Sequence, residues 1–179
     1  IEAIVSCAES ERIIDDIELF ETRMRARFPE VDILKSPIHE QANSMAHALG
    51  YAALGLQTQA GCLVTFSRTA VTTESGVYQV IVEYSEEAVG RLAFELAETL
   101  CIASMEDQPF DLAEALARLR ELNEDVRLGP STASIVQAAV QRNIPYRRLT
   151  EGSLVQFGWG SRQRRIQAAE TDRSGAIAE

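Results

Sequence analysis

The chain has 179 residues, 46% of them apolar, and 17 Lys plus Arg against 27 Asp plus Glu, for a net charge of −10. The apolar share supports a packed core and excludes global disorder, and the length suits one compact domain, or one domain with part of a second. No apolar run reaches membrane-spanning length, and the acidic balance disfavours both nucleic acid and anionic membrane surfaces as partners.

The first seven residues, Ile1-Glu2-Ala3-Ile4-Val5-Ser6-Cys7, read as a strand. No basic segment followed by an apolar region marks a secretory signal there. Ile13, Ile17, Phe20, Met24 and Phe28 then recur at helical spacing, which predicts a helix over 11–28. Pro29 and Pro37 bracket a loop or short strand at 31–34. Ile38, Ala42, Met45, Ala46, Leu49, Ala53 and Leu56 hold a 3.6-residue period, so a long helix is expected to run from Ile38 to about Gln59, with Gly61 as its C′ residue.

Residues 62–69 and 77–84 are rich in β-formers and flank Thr72-Thr73-Glu74-Ser75-Gly76, a pattern that predicts a hairpin. Ser85 is placed to cap the next helix, with Glu86 and Glu87 in its first turn, where the dipole favours acidic groups. Its buried face is expected to be Val89, Leu92, Ala93, Leu96, Ala97, Leu100 and Cys101. A further helix starts at Asp111 with Leu112, Leu116 and Leu119 inward, and 121–128 reads as a polar connector. The order is strand, helix, helix, strand, strand, helix, helix, which favours an α+β class: helices packed on a small mixed or antiparallel sheet.

Gly129 and Pro130 break what precedes them. Ser131 or Thr132 then stands where an N-cap belongs, and Ile135, Val136, Ala139 and Val140 repeat as one helical face. Pro145 ends that helix near Arg142. A short strand, a turn at Glu151-Gly152 and a second strand at 154–157 follow. A helix start of this kind presents free N–H groups and the positive end of a dipole, so it can either be simply capped or hold an anion such as a carboxylate.

Charge is uneven along the chain. Residues 142–179 hold seven Arg and four acidic residues, net +3, which leaves −13 on 1–141. Lysine occurs once, at Lys35, and no Gly-x-x-x-x-Gly-Lys-Ser/Thr loop is present, so the sequence offers no cradle for ATP phosphates. His39-Glu40 begins like a zincin motif, but Asn43 stands where the second histidine belongs. Cys7, Cys62 and Cys101 are odd in number and far apart, and read as reduced, buried thiols of a cytoplasmic protein. No Ser/His/Asp set is identifiable. Trp159 and Phe157 among arginines could stack on nucleic acid, but the acidic body opposes it.

Three stretches together, Gly129-Pro130-Ser131-Thr132, Ile144-Pro145-Tyr146-Arg147-Arg148-Leu149 and residues 155–166, resemble the N-terminal part of the cyanophycin synthetases, in the branch found in heterotrophic bacteria. The likeness extends over 61–82 and 84–101. The family joins aspartate and arginine into a polymer with a poly-aspartate backbone, through an N-terminal domain, an ATP-grasp domain and a Mur-ligase-like domain. The resemblance implies an N-terminal domain over 1–127, a junction unit over 128–160 and the opening segment of an ATP-grasp domain over 161–179. It implies ATP and Mg2+ in the full-length enzyme, held downstream of Glu179, with no ligase activity in these residues alone. Its implied partners are the polymer, the two other domains and further copies of the chain, without nucleic acid or membrane. Arginine-rich polymer would suit the acidic body.

The resemblance also assigns sites. Gly129, Pro130, Ser131 and Thr132 would contact the end of the growing polymer, with Ser131 on the terminal aspartate. Many members carry His-x-x-Glu-His and a further Glu on the second helix, a cluster like an inverted zinc-peptidase motif. Here those positions are His47, Gly50, Tyr51 and Gly55, so only the first ligand survives. Residues at i, i+3, i+4 and i+8 share a helix face, yet one histidine cannot hold zinc. The face is expected to be a degenerate site, or a groove where small residues allow close packing. Arg147, Arg148, Arg162, Arg164 and Arg165 are candidates for contact with aspartates, for docking on a neighbouring domain, or for plain solvation. Three readings follow: part of an ATP-dependent ligase, a non-catalytic polymer-binding scaffold, or a metallopeptidase-like primer-generating domain.

Overall fold

The computed structural model describes residues 1–30, 44–168 and 170–171. The chain forms two compact units, Ile1–Asp125 and Val126–Glu179. The first has several helices and the second has one, each with an antiparallel sheet, so the α+β class holds.

In the first unit, β1 (Glu2–Ser6), β2 (Ser67–Val71) and β3 (Val77–Val82) form a sheet in the order β1-β3-β2, antiparallel throughout. The central strand alternates: Tyr78, Val80 and Val82 are buried, while Val77, Gln79 and Ile81 are half-buried on the other face. That period of two is what a sheet covered on one side requires. The hairpin is present, but its first strand starts at Ser67 and not at Cys62. Glu83 accounts for the difference, since its carboxylate accepts the Thr65 and Phe66 N–H groups at 2.7 and 2.9 Å and takes the place of a strand partner there. Gly76 closes the turn with φ +80°, and the Arg12 guanidinium lies where a Cβ would stand, 2.5 Å away.

Three helices build on this sheet in order: α2 (Met45–Gln59) packs on β2 and β3, α3 (Glu87–Met105) packs on α2, and α1 (Phe20–Arg27) packs on α3. The single helix expected over 11–28 is broken. Two 3-10 turns, Glu9–Glu11 and Ile14–Asp16, precede α1. Ile13 and Ile17 are extended and Leu19 is left-handed at φ 57°, so three short turns replace one axis. The break buries Ile14 in place of Ile13, while Phe20, Met24 and Phe28 stay fully buried as their spacing requires.

Among the described residues the second helix runs from Met45, and its expected start at Ile38 lies outside them. Ser44 is extended and caps it, and Ala42 also lies outside the described residues, as do 31–34. Gly61 ends it at φ +93°, with Cys62 N–H donating to Gln57 O and Gly61 N–H to Thr58 O, both at 3.0 Å. That pair of bonds is a Schellman closure, with Gly61 at C′ as expected.

Glu86 occupies the N-cap of α3 in place of Ser85. Its buried face is Val89, Ala93, Leu96, Ala97, Leu100 and Cys101, with Leu92 only half-buried. Asp111 does cap α4 (Leu112–Val126), accepting the Glu114 N–H at 2.9 Å. The polar segment after Glu121 is helix up to Val126 and not a connector, because no breaker interrupts it before Gly129.

In the second unit, α5 (Pro130–Val140) packs on a four-stranded meander, β4 (Tyr146–Arg148), β5 (Leu154–Phe157), β6 (Arg164–Gln167) and β7 (Glu170–Thr171). Its core is small: Val136, Val155 and Ile166, with Leu128 and Phe157 against them.

Candidate functional site

Two places inherit the residues singled out by sequence, and they are in different units. The first is the start of α5. Gly129 is the N-cap, Pro130 is N1, and Ser131 and Thr132 follow inside the helix, so neither hydroxyl residue is the cap. Proline at N1 explains the shift by one or two positions: it lacks the N–H that would go unpaired there, and its φ suits a helix. Ala133 N–H makes the first helical bond, to Gly129 O at 2.9 Å.

Ser131 and Thr132 then part company. Thr132 is 1% exposed and its hydroxyl donates to Ala168 O at 3.2 Å, which ties the helix to the turn between β6 and β7. Ser131 is exposed beside the open end of the helix. Gly129 has φ −55°, and an added Cβ would meet nothing within 4 Å, so neither backbone nor packing among the described residues demands a glycine. What remains is a short surface of free N–H groups and one hydroxyl, suited to a carboxylate.

The arginines of this unit divide by role. Arg148 is held by three carbonyls: Val126 O at 2.5 Å, Gly152 O at 2.8 Å, and Glu151 O. It therefore pins the β4–β5 turn. Arg164 donates to Gln163 O at 2.8 Å. Arg147, Arg162 and Arg165 are exposed, and no hydrogen bond or ion pair among the described residues holds them.

The second place is the face of α2 that carries His47, Gly50, Tyr51 and Gly55. His47 sits at N3, where a Glu or Gln would complete a capping box. Its Nδ1 is 3.2 Å from the Ser44 N–H and 2.8 Å from the Ser44 hydroxyl, which is fully buried. Its ring meets Tyr78 edge-on at 5.9 Å between centroids. The surviving histidine is thus a capping group. Gly50 faces the sheet: a Cβ there would lie 2.9 Å from Ser67 Oγ and 3.2 Å from Val80 Cγ1. Of the two expectations for this face, close packing through a small residue describes Gly50. Tyr51 and Gly55 are half-buried. Among the described residues, no three His, Cys, Asp or Glu side chains gather closely enough to hold a metal.

The thiols are all buried and unbridged. Burial pushes Cys101 up to about 12 and also raises Cys7, so neither supplies a thiolate near neutral pH. No described helix is long and apolar enough to cross a membrane.

With this geometry in place, comparison with known proteins decides the family. The cyanophycin synthase-like N-terminal domain matches residues 8–106, more than half of the chain and wholly inside the first unit. The chain belongs to that family. The cyanophycin synthetase of Trichormus variabilis is 38% identical over 140 residues, which cover 76% of this chain and 16% of the relative. That of Geminocystis herdmanii is 36% identical over 141 residues, 77% of this chain and 16% of its own length. That of Synechocystis sp. is 38% identical over 136 residues, with 74% and 16% covered. The chain therefore spans about 16% of the length of the curated relatives it matches.

Proposed function

We propose that this chain is the N-terminal part of a cyanophycin synthetase, an ATP-dependent ligase that builds the aspartate–arginine polymer, and that it anchors polymer and helps shape the aspartate-adding site. The family match over 8–106 carries this reading. The relatives named cyanophycin synthetase support a ligase as the parent protein. The parent works in the cytoplasm as an oligomer, with its ATP-grasp and Mur-ligase-like domains on the same polypeptide and the first of them opening near residue 161.

The residues present do not fit ATP or Mg2+. The one lysine is Lys35, no phosphate-binding loop exists, and no described acidic cluster could hold a metal. On this reading nucleotide and metal are held by other parts of the parent, and the 179-residue chain alone is expected to hydrolyse no ATP. A scaffold that only binds polymer is the competing reading. A primer-generating peptidase finds no support in Gly50, which packs against β2 and β3.

Within this reading, Ser131 contacts the terminal aspartate of the growing chain, since its hydroxyl is exposed at the free N–H groups of α5 while Thr132 is committed to Ala168. In the full-length enzyme, Ser131→Ala removes one hydrogen bond to a charged group, about 1.5–3 kcal/mol. The aspartate-adding rate should fall roughly tenfold to a hundredfold. Arginine addition to a pre-made acceptor should stay nearly unchanged. Assaying the two additions separately, beside a melting curve, tests this. Equal loss of both in step with a lowered melting temperature would reduce Ser131 to a helix-start residue.

A further inference from the structure

The strand register of the second unit places three polar side chains abreast. Arg147 on β4 is opposite Gln156 on β5, and Gln156 is opposite Arg165 on β6. Directly opposed residues share a face, and successive residues alternate faces. Val155 and Ile166 are buried on the face that α5 covers, so Arg147, Gln156 and Arg165 stand on the other. Adjacent strands are about 4.8 Å apart, which sets the two arginine backbones roughly 10 Å apart with the Gln156 amide between them.

This row does nothing for the fold that the structure can show. Both guanidinium groups are exposed and lack any partner among the described residues. Gln156 makes one long bond, from Nε2 to Gly158 O at 3.4 Å. The contrast with Arg148 is sharp, since one step along the same strand the side chain is held by three carbonyls. Leu154 and Gln167 continue the face, and Glu170 at its far edge on β7 is its acidic member.

We infer that this face of the sheet is a docking strip for a carboxylate-bearing peptide chain. Arg147 and Arg165 grip its acid groups and Gln156 hydrogen-bonds the peptide between them. Charge complementarity selects an acidic occupant, and guanidinium forks match carboxylates with two parallel bonds each. Two cations flanking an amide, with no aromatic ring in the row, suit a short peptide better than a nucleic-acid strand, which needs stacking platforms and a longer basic track. The strip deepens the polymer-anchoring reading and rests on it for the choice of aspartate as the acid, at residues to which arginine has not yet been joined.

The test titrates the 179-residue chain, at low salt, with an aspartate tetrapeptide, an asparagine tetrapeptide, inorganic phosphate and a short single-stranded oligonucleotide. Wild type should bind the aspartate peptide at least tenfold more tightly than the asparagine peptide, and Arg147→Gln/Arg165→Gln should lose that discrimination. The double variant should melt with wild type, because neither arginine holds a partner, so lost binding is not lost folding. An aspartate affinity unchanged in the double variant would overturn the inference. So would phosphate or oligonucleotide binding as tightly as the peptide, which would reveal a general anion surface. Polymer synthesis by the full-length enzyme is scored apart: its failure removes the ligase reading, while peptide binding alone decides the strip.

Discussion

The two units commit their arginines to different degrees. In the first, Arg23 and Arg27 donate to Met105 O and Gln108 O and pair with Asp107, Arg12 grips the hairpin at Ser75, and Arg120 reaches Gln59 O. Arg25 and Arg91 pair with Glu21 and Glu87 one turn away. Only Arg68 and Arg118 of that unit are without such a bond among the described residues. In the second unit Arg142, Arg148 and Arg164 donate to carbonyls, while Arg127, Arg147, Arg162 and Arg165 are without such a bond among the described residues. The cores differ in the same sense: Phe20, Met24, Phe28, Leu56, Leu100, Val80 and Val89 are fully buried in one, against Val136, Val155 and Ile166 in the other. A unit whose arginines fasten loops is organised around its own stability. A unit with a thin core and unheld cations on one sheet face has side chains left over for a ligand.

The largest expected effect is in the first unit. Phe20→Ala empties a fully buried site where α1 meets α3 and should cost about 3–5 kcal/mol, read from the helical circular dichroism during urea unfolding. A cost under about 1 kcal/mol would deny that this unit is core-dominated.

Next is Gly50→Glu, which places on α2 the acidic residue that the resemblance implies at this position. The new side chain would start 2.9 Å from Ser67 Oγ and force a carboxylate towards a buried contact, so a loss of at least about 2 kcal/mol is expected. Elemental analysis should find no zinc gained. A stable variant holding one zinc per chain would show that the face is still a metal site.

Thr132→Val keeps the shape of a buried residue in the second unit and removes its hydroxyl bond to Ala168 O. The expected cost is about 1 kcal/mol, followed by the fluorescence of Trp159, the one tryptophan. No change would separate Thr132 from the positioning of α5.

The smallest effect is a pH dependence in the first unit. The Thr65 N–H, then the Phe66 N–H and the Thr65 hydroxyl, hold the Glu83 carboxyl below its ordinary 4.5. A folded-state value below the unfolded one gives stability that is present above 4.5 and is lost as pH falls through the lowered value. Glu83 is largely exposed, so solvent screening keeps the gain to a few tenths of a kcal/mol. Glu83→Gln should flatten the acid limb of the melting curve by that amount. An unchanged limb would assign it to Asp107, which Arg27 and Arg23 hold low in the same way.

Much of the fold was legible because it rests on local rules. Periodicity found α2 and α3 with most of the residues they bury, and α5 as a helix, although Ile135 and Val140 of its expected face are exposed and Thr132 is buried with Val136 and Ala139. Gly61 marked a helix end through its left-handed φ, and Asp111 marked a helix start through its carboxylate. Those are short-range demands, met or violated within one turn of chain. The failures share a different cause. A regular apolar spacing through 13–28 hid the break at Leu19, because the period reports which residues are buried and not whether the axis is continuous. Ser85 and Ser131 looked like caps, yet Glu86 and Gly129 took those positions, since several neighbouring residues could cap and packing of the helix chooses among them.

By itself the sequence determined the family, the α+β class, most of the buried faces of α2 and α3 and the acidic-to-basic change along the chain. Only tertiary structure decided that His47 serves as a cap, that Gly50 is a packing contact, that Thr132 is locked while Ser131 is open, and that Arg147, Gln156 and Arg165 stand in one row. The reason is register. Arg147 and Arg148 are adjacent and identical in type, and a period of two sends them to opposite faces, but which face is buried and what stands opposite depend on strands β5 and β6 pairing in one alignment out of several.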